Sequence, residues 1–171
     1  AYQGDFMAQA TDFAADLAQE CPDALYITYS NPLSLLVIGW AANTDIPVVG
    51  LCHSVQGCVP GLLRQLDIDV DPAETQWRIG GINHQAWLLE VTHHGKDLYP
   101  EIKKRAAKKN REARKSGGEK HGDMVRLEMM RRFGYYITES SEHSAEYMPF
   151  WIKSAYPELI EAFNIPLDEY P

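Results

Sequence analysis

The sequence lacks any apolar run that approaches the roughly 20 residues needed to cross a bilayer. Residues 1–20 carry neither the basic start nor the apolar stretch of a secretory leader. Three cysteines among 171 residues are too few for a disulfide framework. These absences argue against membrane and disulfide-rich secreted classes, and they predict a cytoplasmic protein in a reducing compartment with no membrane partner.

Neither a G-x-G-x-x-G pattern nor a P-loop motif occurs in the sequence. The net charge is −8, yet residues 101–120 hold nine Lys or Arg against three Glu. This basic segment contains no aromatic residue on which bases could stack. We therefore expect no nucleic-acid partner, and the segment predicts a solvated, mobile helix that ends at Ser116-Gly117-Gly118.

The first part of the sequence alternates helical and strand patterns. Residues 24–29 (ALYITY) and 46–51 (IPVVGL) are continuous apolar runs, typical of buried strands. Between them, Ser30-Asn31-Pro32 predicts a helix start, with a capping side chain and Pro at the first helical position. An earlier helix that ends before Pro22 is predicted by four apolar residues at helical spacing: Phe6, Ala10, Phe13 and Leu17.

A strand–helix–strand–helix order is typical of a parallel sheet, where ligands bind beyond the carboxyl ends of the strands. Asn31 follows the first predicted strand, and Cys52-His53 follow the second. Because parallel strands end at the same edge of a sheet, we expect these residues at one edge.

After Asp71-Pro72 the strict alternation of strand and helix patterns stops. Residues 76–83 (QWRIGGIN) and 86–92 (AWLLEVT) predict two strands, the second closing on a His94-Gly95 turn. Residues 123–134 (DMVRLEMMRRFG) predict a helix that ends at Gly134. That helix carries Val125, Met129 and Phe133 on one face.

Cys52 and His84 are the residues whose chemistry is most informative. One thiolate and one imidazole suit an open metal site that substrate and water complete. Two alternatives remain from the residues alone: a buried cysteine with an unrelated core histidine, or a Cys–His nucleophile pair.

Four motifs together resemble the family 4 glycoside hydrolases. They occur in the family's order at residues 30–32 (SNP), 50–57 (GLCHSVQG), 81–87 (GINHQAW) and 132–147 (RFGYYITESSEHSAEY). These NAD- and metal-dependent enzymes include α-galactosidases, α-glucosidases, α-galacturonidases and 6-phosphoglycosidases. The family's Gly-rich NAD turn and its carboxyl-terminal part have no counterpart here, so we expect the chain to correspond to the middle of such an enzyme and to be inactive alone.

The resemblance implies an α/β fold class with two parts. Residues 1–51 would be the end of a Rossmann-like parallel sheet that binds NAD. Residues 52–171 would be part of an α+β catalytic domain that resembles the carboxyl-terminal domain of lactate and malate dehydrogenases and binds metal and substrate. For the full-length protein we expect a homodimer or homotetramer.

The resemblance also assigns roles to individual residues. Cys52 and His84 would bind a divalent metal, usually Mn²⁺, although a thiolate ligand alone favours zinc. Asn31 would contact both the substrate and the nicotinamide region of NAD, and Asn83 would contact the substrate. His53 would act as the proton donor, at a position where phosphosugar members carry Asp or Asn.

The base that removes the C2 proton is implied less directly. Asp123 would be this base and Arg126 would bind substrate, since both resemble residues near the active site of members that act on unphosphorylated sugars. Asp123 could instead be a helix N-cap. Other members use a tyrosine, so Tyr135 is a catalytic candidate with Tyr136 beside it, and residues 139–143 (ESSEH) are either a polar binding surface or a capped turn.

In this family NAD⁺ takes hydride from C3, a base removes the acidified C2 proton, the C1 substituent leaves, and water adds before the ketone is reduced. The Cys-His-Ser sequence implies an unphosphorylated α-glycoside substrate, foremost an α-galactoside such as melibiose, with an α-glucoside or α-galacturonide also open. The competing hypotheses are a hydroxyacid dehydrogenase of the lactate/malate type and a non-catalytic fragment that binds a partner through its basic helix.

Overall fold

The computed structural model describes residues 2–167, and for residues 2–7 it describes the backbone only. The chain divides into two compact units, one ending at Cys52 and one beginning at His53. Helices and strands occur in both, which confirms the predicted α/β class. In the first unit the elements are α1 (Tyr2–Glu20), β1 (Tyr26–Thr28), α2 (Leu33–Asn43) and β2 (Val48–Gly50).

Strands β1 and β2 are parallel, with Tyr26 paired to Val48 and Thr28 paired to Gly50. The pairing continues past β2, because the Leu51 amide donates to the Thr28 carbonyl at 2.9 Å. Both strands therefore end at the same edge. Asn31 and Cys52, which follow them, lie at that edge as predicted.

The predicted burial of these strands is wrong for one face of the sheet. Ile27 is 54% exposed and Val49 is 42% exposed. The core of this unit forms instead around Trp40, whose ring stacks on Tyr26 with centroids 4.0 Å apart and whose Nε1 donates to the Ile46 carbonyl at 3.2 Å. Alternate strand residues point to opposite faces, so Tyr26 reaches this core and Ile27 does not.

The predicted helix α1 is present and ends at Glu20, before Pro22. The side chain of Phe6, one of the residues that predicted it, lies outside the described residues, whereas Ala14 of the same helix is buried in the core. The predicted cap on α2 is wrong in detail. Pro32 takes the N-cap position rather than the first helical position, follows a cis Asn31-Pro32 bond, and no side chain caps the helix.

The second unit contains five helices longer than one turn, one 3₁₀ turn (Pro72–Glu74) and four strands among the described residues. The strands are β3 (Thr75–Ile82), β4 (Gln85–His93), β5 (Lys96–Asp97) and β6 (Tyr136–Ile137). The helices are α3 (Ser54–Gln65), α4 (Tyr99–Ala113), α5 (Met124–Phe133), α6 (Ser141–Tyr147) and α7 (Glu158–Ala162).

The sheet of this unit is antiparallel, with the order β3-β4-β5 and with β6 also paired to β4. Strands β3 and β4 match the predicted strands to within one residue at each end. Gly81 has a φ of 141°, and a Cβ there would lie 2.4 Å from the Gln85 carbonyl oxygen. A residue with a side chain would therefore disrupt the hairpin, which explains the glycine.

Two apolar clusters support the sheet. The first joins α3, β4 and α4 through residues such as Val59, Leu88 and Ile102. The second contains Val125 and Met129 of α5. Helix α5 ends at Gly134 with φ 86°, as predicted, but Phe133 is 50% exposed, so the predicted face is buried only in part. No helix in the described part of the chain is long and apolar enough to span a bilayer.

Helix α4 ends at Ala113, before the predicted end at Ser116-Gly117-Gly118, and the expectation that the basic helix is solvated is wrong for one of its faces. Buried residues recur along α4 at helical spacing, namely Tyr99, Ile102, Ala106, Asn110 and Ala113. Two of its cations bind the end of α3: Lys109 Nζ donates to the Gln65 carbonyl at 2.6 Å and Arg105 Nη1 donates to the Leu66 carbonyl at 3.1 Å. Cations near a helix carboxyl terminus are favourable, so part of the basic segment serves the fold.

Candidate functional site

His84 lies at the tip of the β3–β4 hairpin. Because Ile82 pairs with Gln85, Asn83 and His84 form a two-residue turn. His84 adopts a left-handed φ of 59°, a conformation in which histidine is several-fold enriched relative to most residues with a side chain. The turn holds the imidazole against the segment that follows β6, while Asn83 is exposed.

Glu139 is the acidic partner of His84. Its Oε2 lies 3.4 Å from His84 Nε2 and accepts a hydrogen bond from Ser54 Oγ at 3.0 Å. Its Oε1 accepts from the Ser140 amide at 2.8 Å, and the residue is only 8% exposed. A buried carboxylate beside an imidazole is a typical pair of metal ligands, or of a ligand and the group that orients it.

Sequence reasoning missed Glu139 as an individual site residue. It treated residues 139–143 as either a binding surface or a capped turn, and the structure contains features of both. Ser140 caps α6, since its Oγ accepts from the His143 amide at 3.1 Å. The His143 ring stacks on His84 with centroids 5.9 Å apart. The clue available in the sequence was an acidic residue directly before a helix cap, in a motif that also contains His143.

Asp123 is the centre of a second polar cluster. Its Oδ2 accepts hydrogen bonds from Tyr136 Oη at 2.7 Å and from Gln65 Nε2, and its Oδ1 accepts from Arg126 Nη1 at 3.1 Å. It occupies the N-cap position of α5, but its side chain makes no capping hydrogen bond. The N-cap alternative is therefore wrong for the side chain, which is engaged in tertiary contacts.

Arg126 connects this cluster to the segment that carries Glu139. Its Nε donates to the Ile137 carbonyl at 3.1 Å and its Nη2 donates to the Thr138 carbonyl at 3.0 Å. The guanidinium also lies 4.2 Å from the centre of the Tyr136 ring. Burial lowers the pKa of Arg126, but the electrostatic effect of Tyr136 and Asp123 outweighs burial and raises this pKa, so the guanidinium stays charged.

The two tyrosine candidates have different surroundings. Tyr136 is fully buried, and burial together with the Asp123 charge raises its pKa well above the ordinary value, so its hydroxyl stays protonated and donates a hydrogen bond to Asp123. Tyr135 is half-exposed and packs edge-on against Tyr99, with ring centroids 6.0 Å apart. The structure thus brings Tyr136, and not Tyr135, to Asp123.

The remaining predicted residues occupy element ends. Asn31 is exposed at the edge of the first unit's sheet, and Cys52 is the last residue of that unit. His53 is exposed and takes the N-cap position of α3, again without a capping side-chain bond. Within the second unit, the structure brings His84 to Glu139 and Asp123 to Arg126.

Cys58 in α3 offers a test of this environment. Burial raises the pKa of its thiol to about 11, Arg126 lowers it in part, and Asp123 adds to the rise. At pH 8, only about one molecule in a thousand would carry the thiolate that reacts with iodoacetamide. We expect brief labelling of the folded chain to modify exposed Cys21 and to spare Cys58, as measured by mass spectrometry, and labelling in urea to modify both. Equal rates at both cysteines in the folded chain would contradict this environment.

Comparison with known proteins gives a consistent result. Residues 7–68 match the family model for "Family 4 glycosyl hydrolase", and residues 79–171 match that for "Family 4 glycosyl hydrolase C-terminal domain". An α-galactosidase of Bacillus subtilis is 52% identical over 160 residues, covering 94% of this chain and 35% of that protein. An α-galactosidase of Rhizobium meliloti is 30% identical, covering 83% of this chain and 28% of that protein.

Solved structures share the fold. A structure described as a glucosidase of Bacillus subtilis matches with a TM-score of 0.72 at 22% identity, covering 94% of this chain and 39% of that chain. A 6-phospho-α-glucosidase from gut microorganisms, in complex with NAD and Mn²⁺, matches with a TM-score of 0.62 at 19% identity, covering 96% and 44%. This chain spans about a third of the length of the curated relatives described above. The two family models and the 52% identical relative show that the chain belongs to the family 4 glycosyl hydrolases.

Proposed function

We propose that this chain forms part of an NAD- and divalent-metal-dependent α-glycosidase that cleaves unphosphorylated α-galactosides. The observation that carries the proposal is the 52% identity to an α-galactosidase over nearly the whole chain. The 30% identical relative bears the same name. The hydroxyacid dehydrogenase hypothesis has no such support among these relatives, and the packing of α4 gives the basic helix a role within the fold.

The residues of the second unit fit a divalent metal. His84 and Glu139 offer an imidazole nitrogen and a carboxylate oxygen 3.4 Å apart, a separation suited to two atoms that bind one ion. Ser54, which hydrogen-bonds to Glu139, lies only two residues after Cys52 in the sequence. We propose that Cys52 and His84 bind the metal, with Glu139 as a further ligand or as the group that orients His84.

The first unit has residues that suit one part of an NAD-binding site. The carboxyl edge of β1 and β2, where Asn31 lies, is the edge at which parallel sheets of this kind bind nucleotides. The chain holds no Gly-rich turn to contact the pyrophosphate, so we propose that Asn31 contributes only at the nicotinamide end.

The bound metal and NAD⁺ would supply the Lewis acid and the hydride acceptor of the reaction. This chain's own residues would move the protons and hold the sugar. His53 is exposed and can donate a proton to the leaving oxygen, while Asn83, exposed beside His84, can bind sugar hydroxyls. We propose Asp123 as the C2 base, held in one orientation by Gln65, Tyr136 and Arg126; Tyr135 remains a proposed alternative.

The proposed substrate can be tested in a chimera. The aligned 160 residues of the Bacillus subtilis α-galactosidase are replaced by those of this chain, and the product is assayed with NAD⁺, Mn²⁺ and a reductant. We expect hydrolysis of p-nitrophenyl α-galactoside that requires both NAD⁺ and Mn²⁺, with no cleavage of a 6-phosphoglycoside. The unaltered Bacillus enzyme is the control. A folded chimera that is inactive, or that cleaves only the phosphorylated substrate, would contradict the proposal.

A further inference from the structure

A second histidine cluster lies at the opposite end of β4 from His84. It consists of Glu74, His93 and His94, each of which offers one ligand atom, and these atoms all lie within 4.8 Å of one another. Strand β4 runs from Gln85 to His93, so its nine residues separate the two ends by about 30 Å. The cluster is therefore distinct from the candidate site at His84 and Glu139.

Local geometry explains why consecutive histidines face the same point. Neighbouring residues of a strand normally point to opposite faces. Here His93 pairs with Lys96, so His94 and Gly95 form a two-residue turn, with positive φ values of 48° and 77°. This backbone reversal brings the two imidazole rings to 4.1 Å between centroids. A turn with positive φ at both positions favours Asn-Gly, so His94 is not the residue that turn geometry alone would select.

Strand pairing brings the carboxylate to the same place. Thr75 pairs with His93, which sets Glu74 opposite His94 across the end of the β3–β4 ladder. The Glu74 Oε2 lies 3.2 Å from His94 Nε2. The 3₁₀ turn that ends at Glu74 is itself fixed, because Asp71 Oδ1 accepts a hydrogen bond from the Ala73 amide at 2.8 Å.

An unsatisfied atom of His93 supports a role in ligand binding. The Nδ1 of His93 is buried and has no hydrogen-bond partner among the described residues. A buried polar atom without a partner is costly. Two imidazoles and one carboxylate form a three-ligand set typical of zinc sites that keep an open position, and imidazole favours Zn²⁺ over hard cations such as Mg²⁺ or Ca²⁺.

We propose that Glu74, His93 and His94 form a second metal site on the β4–β5 turn, specific for a borderline divalent cation such as Zn²⁺. The site joins the end of β3 to the turn after β4. It is independent of the proposed function, because it shares no residue with the cluster at His84.

The proposal can be tested by titrating the chain with Zn²⁺ in an isothermal titration calorimeter, which measures the affinity and the stoichiometry of binding. All titrations use a background variant of the chain that carries Cys52→Ser and His84→Ala, so that the metal site proposed at Cys52 and His84 cannot bind Zn²⁺. One equivalent of Zn²⁺ is expected to bind in this background. His94→Asn, added to it, should weaken binding by at least about tenfold, the lower end of the loss seen when a supporting group alone is removed. Asparagine suits the turn, so the variant loses the imidazole and keeps the fold.

A second variant and a control complete the design. Glu74→Gln should weaken Zn²⁺ binding in the same way, whereas Glu119→Gln, an exposed glutamate elsewhere in the unit, should not. Circular dichroism verifies that each variant is folded. The proposal is overturned if the background binds no Zn²⁺, or if neither His94→Asn nor Glu74→Gln changes the affinity.

Discussion

Replacing Arg126 by glutamine is expected to lower the free energy of unfolding of this chain by about 3–5 kcal/mol, the range found when one partner of a buried ion pair is removed. Arg126 is largely buried with Asp123, and it also donates to the carbonyls of Ile137 and Thr138. Glutamine is too short to replace all three contacts. It would leave the Asp123 carboxylate buried without its cation, and this uncompensated charge is the main cost.

Urea unfolding followed by circular dichroism measures this effect, and Arg131→Gln is the matched control. Arg131 lies in the same helix and also pairs with a glutamate, Glu128, but its own side chain is 55% exposed. Glu128 keeps a second partner, Arg132, at 2.7 Å. We therefore expect a loss below about 1 kcal/mol for the control. Similar unfolding midpoints for the two variants would show that Arg126 is not the organising contact we describe.

The hydrogen bonds of Arg126 within the protein limit how it could bind substrate, the role that the sequence predicts for it. Three of its donors are committed to protein acceptors, so substrate binding would have to use those that remain. Its contacts hold Thr138, the residue directly before Glu139. We therefore propose Arg126 as a positioning residue that connects Asp123 with the segment facing His84, and its contact with substrate stays a prediction. Its spacing of three residues from Asp123 was the part of this arrangement visible in the sequence.

The sequence predicted helices and strands well where apolar residues followed one clear pattern or a glycine marked the end of an element. The parallel pair β1 and β2, the long hairpin of β3 and β4, and the stop of α5 at Gly134 all followed from runs of apolar residues and from glycine. Burial was predicted less well. The ALYITY run is as apolar as a central strand, but one of its faces is uncovered in this unit, and no local pattern can show what packs on a strand.

Individual residues of the candidate site could be named from the sequence, but most of the contacts between them could not. His84 could be named because it ends a strand within a motif, whereas its partner Glu139 lies 55 residues later and depends on the pairing of β6 with β4. In the same way, the sequence left Asp123 open as a catalytic base or a helix cap, and only the capping role depends on neighbouring residues alone. Its actual partners, Gln65 and Tyr136, come from other elements and could be found only from the tertiary structure.

The largest effect on activity is expected for His84→Ala in the chimera, which should lower kcat by about a thousandfold or more. A bound metal supplies several kcal/mol of transition-state stabilisation, and each 1.36 kcal/mol corresponds to a tenfold change in rate. Cys52→Ser should cause a similar loss. Affinity for NAD should change little in either variant. His84 does not lie at the carboxyl edge of β1 and β2, and Cys52→Ser replaces one small side chain at that edge by another of nearly the same size.

Glu139→Gln separates the two roles proposed for this carboxylate. If Glu139 only orients His84, Mn²⁺ affinity should fall by about 10- to 100-fold and excess Mn²⁺ should restore most of kcat. If Glu139 is itself a ligand, the loss should be larger and excess metal should not restore the rate. Glu119→Gln, at an exposed position outside both clusters, is the control and should leave both quantities unchanged. Normal turnover and Mn²⁺ affinity in His84→Ala would refute the metal site, because the imidazole would then contribute nothing to holding the ion.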